Sequence, residues 1–127
     1  EITTRLVGSE MCIRDSCDTV EIYEAPIDAM SGATLRQYKH DAPWRSVHYL
    51  ALGGLNHQPI DYFLQQHPEV KRVALCFDRD EPGRNFTKIV AKRLTERGYI
   101  VQDTPPAIGK DYNDYLLAAR RLISMER

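Results

Sequence analysis

Acidic side chains follow three extended segments of this chain, and carboxylates in such positions suit the binding of a divalent cation. In open α/β sheets, ligands bind outside the carboxyl ends of the strands. Carboxylates gathered there repel one another unless a cation lies among them, and hard oxygen ligands favour Mg²⁺ or Mn²⁺. The six acids are Glu24 and Asp28, Asp78 and Asp80, and Asp111 and Asp114.

The spacing within these pairs allows each pair to face one site. Asp78 and Asp80 are two residues apart, so in an extended segment both side chains lie on the same face. Glu24 and Asp28 are four residues apart across a strand-to-helix turn, and Gly83 allows a tight turn into the next helix. Metal ions held in this way assist phosphoryl transfer, and a carboxylate beside them can move a proton. The sequence contains no G-x-G-x-x-G, P-loop or G-x-S-x-G motif that would favour another chemistry.

Strand and helix patterns alternate along the chain, which predicts an α/β fold with a parallel sheet. If Glu24 and Asp78 serve one site, the strands that precede them are neighbours. The predicted fold is therefore a four-stranded parallel sheet of order 2-1-3-4, flanked by helices. The predicted strands are 18–24, 47–52, 72–77 and 99–101, and the predicted helices are 26–38, 59–67, 84–97 and 113–125.

Composition places few limits on function. The formal net charge is -1, so no global basic field indicates nucleic acid, although a local basic strip is enough for phosphate contacts. No apolar run approaches the roughly 20 residues that a membrane helix needs, and the expected location is the cytoplasm. The stretch 7–16 resembles translated sequencing-adapter DNA, so residues 1–16 are expected to be a non-native or disordered extension and 17–127 the domain.

Several basic residues are candidates for contact with phosphate. Arg84, Lys88 and Lys92 recur at four-residue steps along one predicted helix, where they could meet a nucleic-acid backbone or form a solvated face. Lys110 lies beside the third acidic pair and could steady a triphosphate or pair with an aspartate. The histidines His40, His48, His57 and His67 show no metal-ligand spacing and are expected to be surface or packing residues.

Three motifs in this order resemble the Toprim domain of DnaG-type primases, type IA and type II topoisomerases and OLD-family nucleases. The motifs are Glu24-x-x-x-Asp28, Asp78-x-Asp80-x-x-Gly83 and Lys110-Asp111-x-Asn113-Asp114, with Gly53-Gly54 after the second strand. The resemblance covers about residues 17–125. The late Lys-Asp-x-Asn-Asp form is most similar to Toprim-like, primase-related proteins of bacterial plasmids and integrative mobile elements.

The resemblance implies a role for each matching residue. Glu24 matches the general acid or base, with Asp28 as a supporting acid. Asp78 and Asp80 match the D-x-D pair that binds Mg²⁺, and Asp111 and Asp114 match further acids near the metals. The implied partners are nucleic acid, either DNA or an RNA primer, and nucleotides.

Three functions remain open at this point. The first is primase-like nucleotidyl transfer, in DNA replication or mobile-element transfer, by a domain that could be inactive alone. The second is strand cleavage of the nuclease or topoisomerase type. The third is a non-catalytic nucleic-acid-binding module. The sequence leaves the oligomeric state undetermined.

Overall fold

A computed structural model describes residues 17–39 and 47–126 as four strands that alternate with four helices. The N-terminal extension predicted at residues 1–16 lies outside the described residues. The strands are β1 (Thr19–Tyr23), β2 (His48–Ala51), β3 (Arg72–Cys76) and β4 (Ile100–Asp103). The helices are α1 (Pro26–Lys39), α2 (Gln58–Gln66), α3 (Glu81–Glu96) and α4 (Tyr112–Glu126).

All four strands are parallel and lie in the order β2-β1-β3-β4, which confirms the predicted fold. In the central pair, Tyr23 of β1 lies beside Cys76 of β3. Because paired parallel strands leave the sheet at the same level, Glu24 and Asp78 emerge close together at the carboxyl edge. The order in which strands are added to the sheet reverses between β1 and β3. This is the switch point where such folds place their ligand site.

The central strands are buried on both faces of the sheet, which explains their nearly continuous apolar sequence. Val20 and Ile22 face a large core, to which α2 and α3 contribute Phe63, Leu64 and Leu94. The opposite face carries a smaller cluster built from small and aromatic side chains, and Tyr112 of α4 packs against it. The sheet therefore holds its carboxyl edge in place from both sides.

The sheet face that carries the smaller cluster also contains a buried polar network. Glu21 accepts a hydrogen bond of 2.7 Å from the Tyr23 hydroxyl and forms an ion pair with Arg36 of α1. Buried charges are stable only when they are paired and hydrogen-bonded, so this network fixes α1 against β1. Asp28, near the start of α1, is thereby held at the carboxyl edge.

Two element boundaries differ from the sequence prediction by more than one residue. Helix α3 begins at Glu81 rather than at residue 84, because Asp80 caps it and accepts a 2.8 Å hydrogen bond from the Gly83 amide. Strand β4 extends to Asp103 rather than ending at residue 101. Its polar residues Gln102 and Asp103 pair with β3 and are tolerated because β4 is an edge strand.

Gly83 is required by a close approach of the backbone rather than by a left-handed turn. A Cβ atom at this position would clash with the Asp78 carbonyl oxygen and would lie 2.9 Å from Oδ1 of Asp80. The absence of a side chain lets the first turn of α3 pack directly under the loop that carries both aspartates. Within the part of the chain that is described, no helix has the length and apolar character needed to cross a bilayer.

We expect Gly83→Ala to lower the free energy of unfolding by about 1–3 kcal/mol, because the added methyl group overpacks a backbone contact. Asn85→Ala is the matched control, since Asn85 is exposed on the same helix and its loss should change stability by less than about 0.5 kcal/mol. Urea unfolding of the two variants and the wild type measures the difference. Equal stability of all three proteins would contradict this role of Gly83.

Candidate metal centre

Three carboxylates from two strand ends converge at the carboxyl edge of the sheet. Glu24 follows β1, Asp78 lies two residues beyond β3, and Asp80 caps α3. One carboxylate oxygen of each lies within 4.8 Å of the other two. The structure thus brings together three of the six acids that the sequence analysis named as candidates.

The backbone of Glu24 is held by the loop that follows β2. The amides of Gly53 and Gly54 donate hydrogen bonds of 2.9 and 3.2 Å to the Glu24 carbonyl oxygen. Both glycines have positive φ, at 72° and 145°, which other residues adopt only with strain. The glycine pair noted in the sequence therefore positions the end of β1.

The three carboxylates perturb one another because they are close together and partly removed from solvent. Burial, followed by the charges of Asp78 and Asp80, raises the pKa of Glu24 to about 7. Burial and the charge of Asp80 also raise the pKa of Asp78. Burial and neighbouring negative charge both favour the protonated form of a carboxyl group, so the pKa values of both acids move in the same direction.

Asp28 is buried at 4% exposure and lies beside this group without joining it. Burial, followed by the charge of Asp111, raises the pKa of Asp28 to about 6. Its Oδ1 accepts a hydrogen bond of 3.3 Å from the Asn113 amide, which ties α1 to the start of α4. This contact identifies Asp28 as a residue that positions the third acidic segment.

Asp111 and Asp114 cap helix α4. Oδ1 of Asp111 accepts a 2.8 Å hydrogen bond from the Asp114 amide, and Oδ2 of Asp114 accepts one of 3.1 Å from the Lys110 amide. Neither joins the three-carboxylate group among the residues that the structure describes. Asp111 still acts on the site through its charge, which raises the pKa of both Asp28 and Asp78. Their direct role as metal ligands stays a prediction.

Lys110 brings a positive charge to the rim of the site. Its Nζ lies 3.6 Å from Oδ2 of Asp80, and its side chain is 60% exposed. The nearby charges of Asp80 and Asp78 raise the pKa of this ammonium group. Lys110 is therefore an exposed cation within pairing distance of Asp80.

Arg79, between Asp78 and Asp80, has a structural role that the sequence did not reveal. Its amide donates a 2.8 Å hydrogen bond to the Lys110 carbonyl, and its Nε donates one of 2.6 Å to the Pro106 carbonyl. These bonds hold the loop before α4 against the D-x-D segment. In the sequence, Arg79 is seen only as the middle residue of the D-x-D motif. That position does not indicate which way its side chain points.

The predicted phosphate-binding residues of α3 differ in their environment. Arg84 is engaged by Asp103, whose two carboxylate oxygens lie 2.8 and 3.1 Å from its guanidinium nitrogens. Lys88 and Lys92 are exposed. Their contact with nucleic acid remains a prediction, and the structure leaves the two lysines more available for it than Arg84.

The donor set fits a hard divalent cation. Oε1 of Glu24 is buried and has no hydrogen-bond partner among the described residues. Such an oxygen, next to two further carboxylates, would be stabilised by a bound positive ion. Mg²⁺ and Mn²⁺ match these oxygen donors.

The chain is similar to solved structures in its fold. It superposes on the primase fragment of the bacteriophage T7 primase-helicase protein with a TM-score of 0.58 and 21% identity, covering 86% of this chain and 42% of that one. A protein from Aquifex aeolicus gives a TM-score of 0.49 and 15% identity, with 94% and 88% of the two chains covered.

Sequence comparison gives a partial relative and a family. Uncharacterized protein MG010 of Mycoplasma genitalium is 31% identical over 64 residues, which are 50% of this chain and 28% of that protein. The chain thus spans less than a third of that relative's length. The family model described as Toprim-like matches residues 21–116, a range that contains all six candidate acids. By this match, and by the sheet and acidic site described above, the chain belongs to the Toprim-like family.

Proposed function

We propose that this chain is a divalent-metal-dependent domain that transfers phosphoryl or nucleotidyl groups on nucleic acid, with primase-like primer synthesis as its leading reaction. The observation that carries the proposal is the convergence of Glu24, Asp78 and Asp80 within 4.8 Å. The mutual repulsion of three carboxylates destabilises the folded state, and a bound cation would relieve it. The proposed setting is DNA replication or mobile-element transfer in the cytoplasm.

Membership of the Toprim-like family supports nucleic-acid chemistry, and the fold shared with a T7 primase fragment favours synthesis over cleavage. The chain corresponds to 42% of that fragment, so further segments could be needed for full activity. Single-stranded DNA as template and nucleotides as substrates are part of the proposal.

The three carboxylates would divide the work according to their surroundings. Asp78 and Asp80 would hold Mg²⁺, or Mn²⁺ in its place, and a bound ion supplies positive charge against the developing charge of the reacting phosphate. Glu24 has a pKa of about 7 and can accept or donate a proton near neutral pH. In primer synthesis it would take the proton from the attacking hydroxyl group.

Residues around the carboxylates would position the substrate and the loops. The exposed Lys110 ammonium would leave Asp80 to contact a triphosphate oxygen. Asp28 would hold the start of α4 through the Asn113 amide. We propose Asp111 and Asp114 as supporting acids, which act by fixing this helix end as well as through their charge.

We expect Asp78→Asn/Asp80→Asn to weaken Mn²⁺ binding at least about tenfold, since even outer-shell partners of metal sites cost that much when they are mutated. Glu81→Gln is the matched control, because Glu81 is an exposed acid next to Asp80 at the start of the same helix. Calorimetric titration of the three proteins measures the affinities. Equal affinity in the wild type and the double variant would contradict the proposed metal ligands.

Primer synthesis on single-stranded DNA with Mg²⁺ or Mn²⁺ tests the reaction itself. We expect products from the wild type and from Glu81→Gln, and none from Glu24→Gln or from the double aspartate variant. Cleavage of the template in place of synthesis would show a nuclease or topoisomerase type of reaction. Metal binding without either product, in a chain extended by its native neighbours, would show a non-catalytic module.

The stability of the metal-free protein should depend on pH through Glu24. Its pKa rises from 4.5 to about 7 on folding, so the folded state holds a proton that the unfolded state releases. That contribution is fully present below pH 4.5 and is lost as the pH rises through about 7. Glu24→Gln removes the titration, so its Tm relative to the wild type should be higher at pH 8.5 than at pH 5 in EDTA. A Tm difference that does not change with pH would contradict the raised pKa.

Lys88→Ala/Lys92→Ala should reduce the salt dependence of single-stranded DNA binding. Two lost phosphate contacts lower the slope of log K against log salt by about 1.4, at about 0.7 for each contact. Arg93→Ala/Arg97→Ala, at the C-terminal end of the same helix, is the control, because these arginines already pair with Asp61 at 2.7 and 3.0 Å. Equal slopes for the two double variants would contradict a phosphate-binding role for the lysines.

A further inference from the structure

A second group of metal-ligating side chains lies at the opposite edge of the sheet. His48 is the first residue of β2, His67 follows the end of α2, and Glu69 lies in the turn before β3. These positions are at the amino ends of the parallel strands, whereas Glu24 and Asp78 lie at the carboxyl ends. The group is therefore separate from the acidic centre.

The donor atoms of this group already have the separations of a metal site. Oε2 of Glu69 lies 3.3 Å from Nε2 of His48 and 3.0 Å from Nδ1 of His67. One donor atom from each residue lies within 4.8 Å of the other two. Ligands bound tetrahedrally at zinc bond lengths of about 2.0–2.1 Å are separated by about 3.3–3.4 Å. A small outward movement of His67 would therefore admit the ion.

The imidazole of His48 lacks the partners that a buried polar ring needs. His48 is 3% exposed, and neither of its ring nitrogens has a hydrogen-bond partner among residues 17–39 and 47–126. Its approach to Glu69 is close but lacks hydrogen-bond geometry. Leaving both nitrogens of a buried ring unsatisfied is costly, and coordination by Nε2 would relieve the cost at the atom that faces the other two donors.

An aromatic side chain holds the two imidazole rings in an orientation suitable for coordination. Phe63 of α2 packs against both imidazoles, with ring centroids 5.4 Å from His48 and 4.3 Å from His67. The aromatic wall limits rotation of both rings, so the donor set is largely organised before the ion arrives.

We propose that His48, His67 and Glu69 bind a transition-metal ion of the Zn²⁺ class. Two imidazoles and one carboxylate select Zn²⁺ over Mg²⁺, because imidazole is a ligand of borderline-soft ions and Mg²⁺ requires oxygen. Three protein ligands leave a fourth position for water. The ion would join β2 to the connection between α2 and β3, and this role is independent of the proposed function.

Zinc titration of the full chain against a chromophoric chelator tests the site. We expect one Zn²⁺ per chain, with affinity lowered at least about tenfold by Glu69→Gln or His67→Gln, in line with metal-site substitutions generally. His57→Gln is the matched control, because His57 also lies near a carboxylate, 3.4 Å from Asp61, but joins no group of three ligands among the described residues. Asp78→Asn/Asp80→Asn should keep its zinc affinity, which separates this site from the acidic centre.

A readout on the wild type covers the case in which a variant fails to fold. In ¹H–¹⁵N spectra of the histidine side chains, Zn²⁺ should shift the ring nitrogens of His48 and His67 and leave those of His57 unchanged. Absence of zinc binding, or binding that leaves the His48 and His67 nitrogens unshifted, would overturn the proposal. In either case the two histidines and Glu69 form only a local polar contact.

Discussion

Mutual repulsion among carboxylates at one edge of the sheet is the constraint on which this structure depends. Parallel pairing of β1 with β3 fixes Glu24 and Asp78 at the same level, and the cap of α3 adds Asp80. The result is a partly desolvated group of acids in which one oxygen of Glu24 has no hydrogen-bond partner among the described residues. A fold that accepts such a cost at its switch point is organised for a cation rather than for maximal stability.

The rest of the domain holds these acids in place against their repulsion. Sheet burial on both faces makes the strand ends rigid, and the two glycine amides after β2 hold the Glu24 backbone. Gly83 brings the first turn of α3 under the D-x-D loop, and Arg79 ties that loop to the segment before α4. These contacts act on the backbone and leave the carboxylates of Glu24 and Asp78 to the site, whereas Oδ1 of Asp80 also accepts the Gly83 amide hydrogen bond.

The fold and the central acids could be predicted from the sequence because both depend on local patterns. Apolar runs that end in acids predicted the strands, their order and six candidate acids, of which the structure brings three together. The partners of charged side chains depend on tertiary packing, so the pairing of Arg84 with Asp103 and the capping by Asp111 and Asp114 could not be ranked above other roles. His48 and His67 show the same limit, since 18 intervening residues hide a proximity that only the strand and helix placement creates.

Whether the three carboxylates form a metal site is tested most directly by soaking a crystal in Mn²⁺ and locating the ion by its anomalous scattering. If these acids form a metal site, a peak is expected among the carboxylate oxygens of Glu24, Asp78 and Asp80, and it should be lost in crystals of Asp78→Asn/Asp80→Asn. A well-ordered site that holds no Mn²⁺, with the three acids in their present positions, would contradict the proposed metal site. The acids would then be helix caps and solvated side chains at the edge of an ordinary parallel sheet.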